Sequence, residues 1–125
     1  MSSEKFTRLQ LRIMQALWQK KRATAREITD VLSAFEPIAH STVQTLLRRL
    51  ERRGAIGHDE KDATFEYYPL VKNERVVKQM LQELLDRMFA GSPQGMVSYL
   101  LKNRYVTPEE LKGLSELSEK RRNER

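Results

Sequence analysis

The stretch Ser41-Thr42-Val43-Gln44-Thr45-Leu46-Leu47-Arg48-Arg49-Leu50-Glu51-Arg52-Arg53-Gly54 decides the fold of this chain. Val43, Leu46, Leu47 and Leu50 recur at steps of three and four, so the spacing predicts a helix over about 42–53 with one apolar stripe. Ser41 and Gln44 have the spacing of a capping box, in which each side chain satisfies a backbone donor that a helix start leaves orphaned. Gly54 stands where a left-handed residue ends a helix. The opposite face carries Gln44, Arg48, Arg49 and Arg52, and Glu51 is the one acid between Ser41 and Arg53. Such a face is either solvated surface or a seat for a polyanion.

On the N-terminal side, Thr7 with Gln10 and Thr24 with Glu27 repeat the capping spacing. A helix is expected over about 8–19, burying Leu9, Ile13, Met14, Leu17 and Trp18, and a second over 25–33 with Ile28, Val31 and Leu32 inward. Pro37 stops it, because Glu36 before it is pushed out of helical geometry. On the C-terminal side the period changes. Ala55 to His58 and Thr64 to Tyr68 flank the polar run Asp59-Glu60-Lys61-Asp62, which reads as a two-stranded hairpin with its charged tip around Lys61. Pro69 suits the end of an edge strand, and strand alternation predicts that Tyr67 and Tyr68 split, one inward and one outward.

Beyond the hairpin, a long amphipathic helix is expected over about 72–89, broken by Gly91, Ser92 and Pro93. A shorter one carries Met96, Val97, Leu100 and Leu101. A last helix opens at Thr107-Pro108 with Glu110 in capping register and carries Leu111, Leu114 and Leu117. The expected fold is therefore mostly α with a small β-hairpin. Residues 1–71 form a winged helix-turn-helix and residues 72–125 an α-helical dimerisation domain.

Composition narrows the function. With 125 residues there is room for one domain, or one and an appendage. The longest uncharged stretch, Met88 to Leu101, contains Gly91, Pro93 and Gly95 and is too short for the roughly 20 apolar residues of a membrane span. No N-terminal run resembles a secretory signal, and the absence of cysteine removes disulfides, thiolate metal sites and thiol nucleophiles. A cytoplasmic setting is expected. The net charge of +6 is divided evenly, +3 in residues 1–70 and +3 in 71–125, so it points only weakly to a polyanionic partner. His40 and His58 have no carboxylate pair, phosphate loop or ligand-spaced cluster beside them in the sequence, so neither an enzyme nor a metal or cofactor site is expected.

In a winged helix the third helix enters the DNA major groove and the hairpin runs along neighbouring phosphates. Ser41, Thr42, Gln44 and Thr45, at its outward N-terminal end, are the candidates for base edges. His40, Arg48, Arg49, Arg52 and Lys61 are the candidates for phosphates, which position without reading sequence. The stripes of the C-terminal half hold more apolar surface than 50 residues can bury on themselves, so a homodimer is expected. Its interface is assigned to Val77, Met80, Leu81, Leu84, Leu85, Met88, Leu100, Leu111 and Leu114. Two other readings stay open: a small-molecule pocket at the dimer junction lined by Met80, Met88, Phe89 and Met96, and a winged helix used for protein contacts, which needs an apolar outer face on the third helix.

Several runs together resemble the penicillinase-repressor and methicillin-resistance-repressor (BlaI/MecI-type) family. They are Leu17-Trp18-Gln19-Lys20-Lys21, Thr42 to Leu50, Arg53-Gly54-Ala55-Ile56, Phe65 to Leu70, the Phe89-Ala90-Gly91 break and Thr107 to Leu111. The resemblance spans nearly the whole chain. It implies a homodimeric transcriptional repressor on double-stranded DNA, binding inverted-repeat operators with TACA/TGTA half-sites, with Ser41, Thr42, Gln44 and Thr45 in the recognition helix. In antibiotic-responsive members a signalling peptidase pathway cuts an Asn-Phe bond in the C-terminal domain. The equivalent place here is Tyr99-Leu100, no Asn-Phe pair exists in the chain, and Asn103 precedes Arg104, so that cut does not carry over. The cysteine cluster of the copper-responsive branch is absent as well.

Overall fold

The computed structural model describes residues 5–123. Helix α1 spans Arg8–Lys20, strand β1 Ala23–Thr24, α2 Ala25–Ser33, α3 His40–Arg52, β2 Ile56–Lys61, β3 Thr64–Pro69, α4 Asn73–Met88, α5 Pro93–Lys102 and α6 Pro108–Asn123. Contacts divide the chain into a unit ending at Lys78 and a second beginning at Gln79, within α4.

In the first unit, α1, α2 and α3 converge on one core. Ile13, Met14 and Leu17 meet Ile28 and Leu32, and Val43, Leu47 and Leu50 close the third side. Each of these aliphatic side chains is essentially fully buried, worth about 1.5–3 kcal/mol apiece. Both expected caps form at the first two helices. Thr7 and Gln10 exchange side-chain bonds with each other's backbone N–H at the start of α1, as do Thr24 and Glu27 at the start of α2. Thr107 and Glu110 do the same before α6.

The start of α3 differs from the sequence expectation. The helix begins at His40, with Ala39 as its N-cap and no side-chain cap bond, so the Ser41–Gln44 capping box does not form. Ser41 already lies inside the first turn, where its own N–H is past the capping position. Gln44 is thereby left exposed and available. The far end behaves as expected. Gly54 takes φ +81, its N–H bonds the Glu51 carbonyl, and the Ala55 N–H bonds the Leu50 carbonyl, closing the helix with a left-handed turn.

The wing is a three-stranded antiparallel sheet of order β1-β3-β2, not a two-stranded hairpin. Ala23 and Thr24 pair with Tyr67 and Glu66, so β3 is central rather than an edge. Pro69 is tolerated because it lies beyond the reach of β1, opposite Ile56 of β2 alone. Lys61 ends β2 opposite Thr64, and the tip is Asp62-Ala63, both at positive φ, as a tight two-residue hairpin turn requires. Tyr67 points into the core and Tyr68 outward, where it lies under the Arg22 guanidinium. The Trp18 indole N–H donates to the Val71 carbonyl at 2.9 Å and fastens the chain as it leaves the sheet.

In the second unit the end of α4, with α5 and α6, carries few buried side chains. Leu85 is 8% exposed, whereas Leu84 is 44% and Met88 70% exposed. Ser92 caps α5 by accepting from the Gly95 N–H, and Gly91 at φ +76 permits the turn before it. No helix is long and apolar enough to cross a membrane among the described residues.

Candidate nucleic-acid interface

With Val43, Leu47 and Leu50 turned to the core, the 3.6-residue period of α3 fixes where its polar residues stand. Ser41, Thr45, Arg48 and Arg52, at i, i+4, i+7 and i+11, form the ridge directly opposite the buried stripe. Thr42 and Arg49 flank that ridge on one side, and His40 and Gln44 on the other. The ridge is exposed except for Thr45, which is half-buried and accepts a 3.2 Å bond from Arg48 Nη2. Arg49 and Arg52 are exposed and form no ion pair among the described residues. Arg53, fourth in the run, is used differently: its guanidinium lies 4.4 Å over the Phe6 ring and donates to the Lys5 carbonyl at 2.8 Å.

Both ends of α3 are tied down. At the N-terminal end, His40 Nδ1 is 3.0 Å from Thr29 Oγ1 of α2. Toward the C-terminal end, Glu51 Oε2 is 2.5 Å from His58 Nδ1 of β2. The His58 ring also stacks on Phe65, centroids 4.0 Å apart, so the wing strands and α3 are locked together. Burial pushes the Tyr67 phenol up from its ordinary value, and the Glu51 carboxylate adds to that effect.

On the wing, pairing places His58 with Tyr67 and Glu60 with Phe65 on the face toward α3, and Lys61 with Thr64 on the other face. Arg22 pairs with Asp59 and Glu66 on that outer face, neutralising part of the acidic hairpin. Lys61 is exposed at the end of β2, opposite Thr64.

Between the start of α2, the start of α3 and the wing lies an open cleft of about 410 Å³. Thr24, Ala25, Arg26, His40, Gln44, Thr64 and Phe65 line it. Arg26 is exposed and forms no ion pair among the described residues. Sequence reasoning missed it, because nothing in a lone arginine on α2 signals that α3 and the wing converge beside it. No cluster of three or more His, Asp or Glu capable of holding a metal occurs among the described residues.

The C-terminal residues assigned to an interface are distributed unevenly. Val77, Met80, Leu81, Leu84, Met88 and Leu114 are exposed, and Leu100 and Leu111 half-buried. Leu85 is the exception, covered by its own chain because it occupies the inner side of α4. Of the residues suggested for a small-molecule pocket, Met80 and Met88 are exposed, and Phe89 packs edge-on to Tyr99 with centroids 6.0 Å apart. Tyr99-Leu100 lies inside α5, and the Tyr99 carbonyl accepts from both the backbone N–H and the side-chain amide of Asn103.

The sequence model of the penicillinase-repressor family matches residues 6–120. The chain belongs to that family. The penicillinase repressor of Bacillus licheniformis is 26% identical over 114 residues, covering 91% of this chain and 89% of the relative. The solution structure of the DNA-binding domain of the repressor BlaI superposes with a TM-score of 0.52 at 26% identity, over 58% of this chain and 90% of that domain. A mutant of MarR from E. coli, solved in complex with operator DNA, gives a TM-score of 0.52 at 18% identity over 93% of this chain and 75% of that one, a likeness of fold. The winged-helix assignment and the family expectation both hold. Fold and family are those of transcriptional regulators, and this member of the penicillinase-repressor family is not an enzyme.

Proposed function

We propose that this chain is a homodimeric, cytoplasmic transcriptional repressor whose first 71 residues read an inverted-repeat DNA operator and whose residues 72–125 join two protomers. The observation that carries the reading is the outer face of α3. Ser41, Thr45, Arg48 and Arg52 with flanking Thr42, Gln44 and Arg49 make a wholly polar, net cationic ridge on a helix whose apolar stripe is buried and whose two ends are tied. A protein-contact role needs an apolar outer face there, and the ridge has none.

Ser41, Thr42, Gln44 and Thr45 are assigned to base edges. Gln44 suits adenine through two hydrogen bonds and the Thr45 methyl suits the thymine methyl. Arg48 and Arg52 on the ridge and Arg49 on its flank are assigned to phosphates, His40 and Arg26 to phosphates on the cleft side, and Lys61 to phosphates from the wing. Dimerisation is supported by Val77, Met80, Leu81, Leu84, Met88 and Leu114, large apolar side chains that a lone protomer leaves exposed. TACA/TGTA half-sites and relief of repression by a signal other than the Asn-Phe cut follow from the family resemblance and its departures here.

The roles along α3 are separable by binding isotherms on operator and on random duplex. Gln44→Ala is expected to lose about 1–3 kcal/mol on the operator and little on random DNA. Arg49→Ala is expected to weaken both alike and to flatten the log–log salt dependence by about one unit. If both variants affected the two duplexes equally, the division of labour would be wrong.

A further inference from the structure

Thr29 is a polar side chain buried to 5% exposure in the middle of α2. Its hydroxyl donates to the Ala25 carbonyl at 2.8 Å, and the same oxygen lies 3.0 Å from His40 Nδ1. A hydroxyl has one proton to give, and a carbonyl can only accept. With that proton given to Ala25, the bond to His40 is made by Nδ1 carrying the hydrogen and donating to Thr29. The neutral ring then holds its lone pair on Nε2. With Nδ1 engaged by Thr29, Nε2 is the ring nitrogen left free, and the ring lines the cleft with Arg26 and Gln44. A lone pair there cannot bond a phosphate oxygen, which is itself an acceptor.

We propose that His40, set by Thr29, is a proton-coupled phosphate contact: the neutral ring rejects a phosphate oxygen, and the ring protonated on Nε2 donates to it. The proposal rests on the DNA-binding reading above. From α2 the charged group facing the cleft is Arg26, from β3 the titratable group is Tyr67, and α3 adds the neutral Gln44. No carboxylate lines the cleft among the described residues. A phosphate seated there supplies the missing negative charge and favours the protonated ring. Binding therefore takes up a proton, and affinity rises as pH falls. Thr29 is a positioning residue, since it acts only through the His40 ring. The other histidine, His58, bonds Glu51 and does not line the cleft, so a His40 variant separates the two.

The test is the salt dependence of binding by the full-length protein to a random-sequence duplex at pH 5.5 and pH 8, since a phosphate contact does not require an operator. The wild-type slope is expected to steepen by about one unit per protomer at the lower pH, and the His40→Gln slope to stay the same at both. Thr29→Ser keeps the hydroxyl and the pH dependence. Thr29→Val frees Nδ1 and lets the neutral ring carry its hydrogen on Nε2, so the neutral ring gains a phosphate bond at pH 8 and the affinity difference between the two pH values narrows, while the slopes, which count charge, keep theirs. Imidazole nitrogen shifts measured without DNA at pH 8 report the same switch, with hydrogen on Nδ1 in the wild type and on Nε2 in Thr29→Val. Slopes independent of pH in the wild type, or a pH dependence retained by His40→Gln, would overturn the proposal, as would a wild-type ring with its hydrogen on Nε2. Absence of any binding at either pH would instead overturn the DNA-binding reading.

Discussion

Arg48, Arg49, Arg52 and Arg53 are chemically identical, and their surroundings give them different work. Arg49 and Arg52 extend freely from α3, Arg48 leans back on Thr45, and Arg53 is spent on the N-terminal segment through Phe6, Lys5 and Gln10. A cation over an aromatic face, combined with a charge-assisted bond to a carbonyl, contributes about 1 kcal/mol at an exposed site. Arg53→Ala is therefore expected to lower the melting temperature by about 4–8 °C. Its salt slope on DNA should remain that of the wild type, unlike the slope of Arg49→Ala. A flattened slope with unchanged melting would place Arg53 on a phosphate and remove its structural role.

Among the elements, α3 was the most legible in the sequence, because its stripe of Val43, Leu47 and Leu50 and its glycine stop are local signals. Its first turn was not, since the helix is begun by Ala39 and secured across space by the His40–Thr29 bond rather than by a capping box. Strand β1 escaped for a related reason. Two residues carry no period, and Ala23 and Thr24 become a strand only because Tyr67 and Glu66 present free backbone beside them. The same limit applied to the interface. Residue types on the outward ridge could be read from spacing, but the cleft could not, because it joins Arg26, His40 and Thr64 from three elements. The stop of α3 offers a clean measurement. A Cβ at Gly54 would meet no atom within 4 Å, so Gly54→Ala probes the backbone alone at φ +81. The left-handed conformation costs an alanine about 1–2 kcal/mol, and thermal unfolding should show that loss. Unchanged or raised stability would contradict the left-handed cap.

For the whole molecule, charge and apolar surface describe different tasks in the two halves. Net charge is the same in each, +3, yet among the described residues it is in the first that arginines without an ion pair gather on one helix face above a closed core. In the second, Val77, Leu81, Leu84 and Met88 on α4 and Leu114 and Leu117 on α6 remain exposed. The proposed reading gives the first half to DNA and the second to the pairing of protomers. Two-fold pairing would set two recognition helices on symmetric half-sites about one helical turn, roughly 34–36 Å, apart or at a multiple of that spacing. Selection of binding sites from a random DNA pool by the purified full-length protein at moderate salt tests this most directly. Recovery of an inverted repeat with half-sites at that spacing is the expected result. Recovery of no shared motif, with binding that vanishes as salt rises, would contradict the account and leave only a basic protein adhering to polyanions.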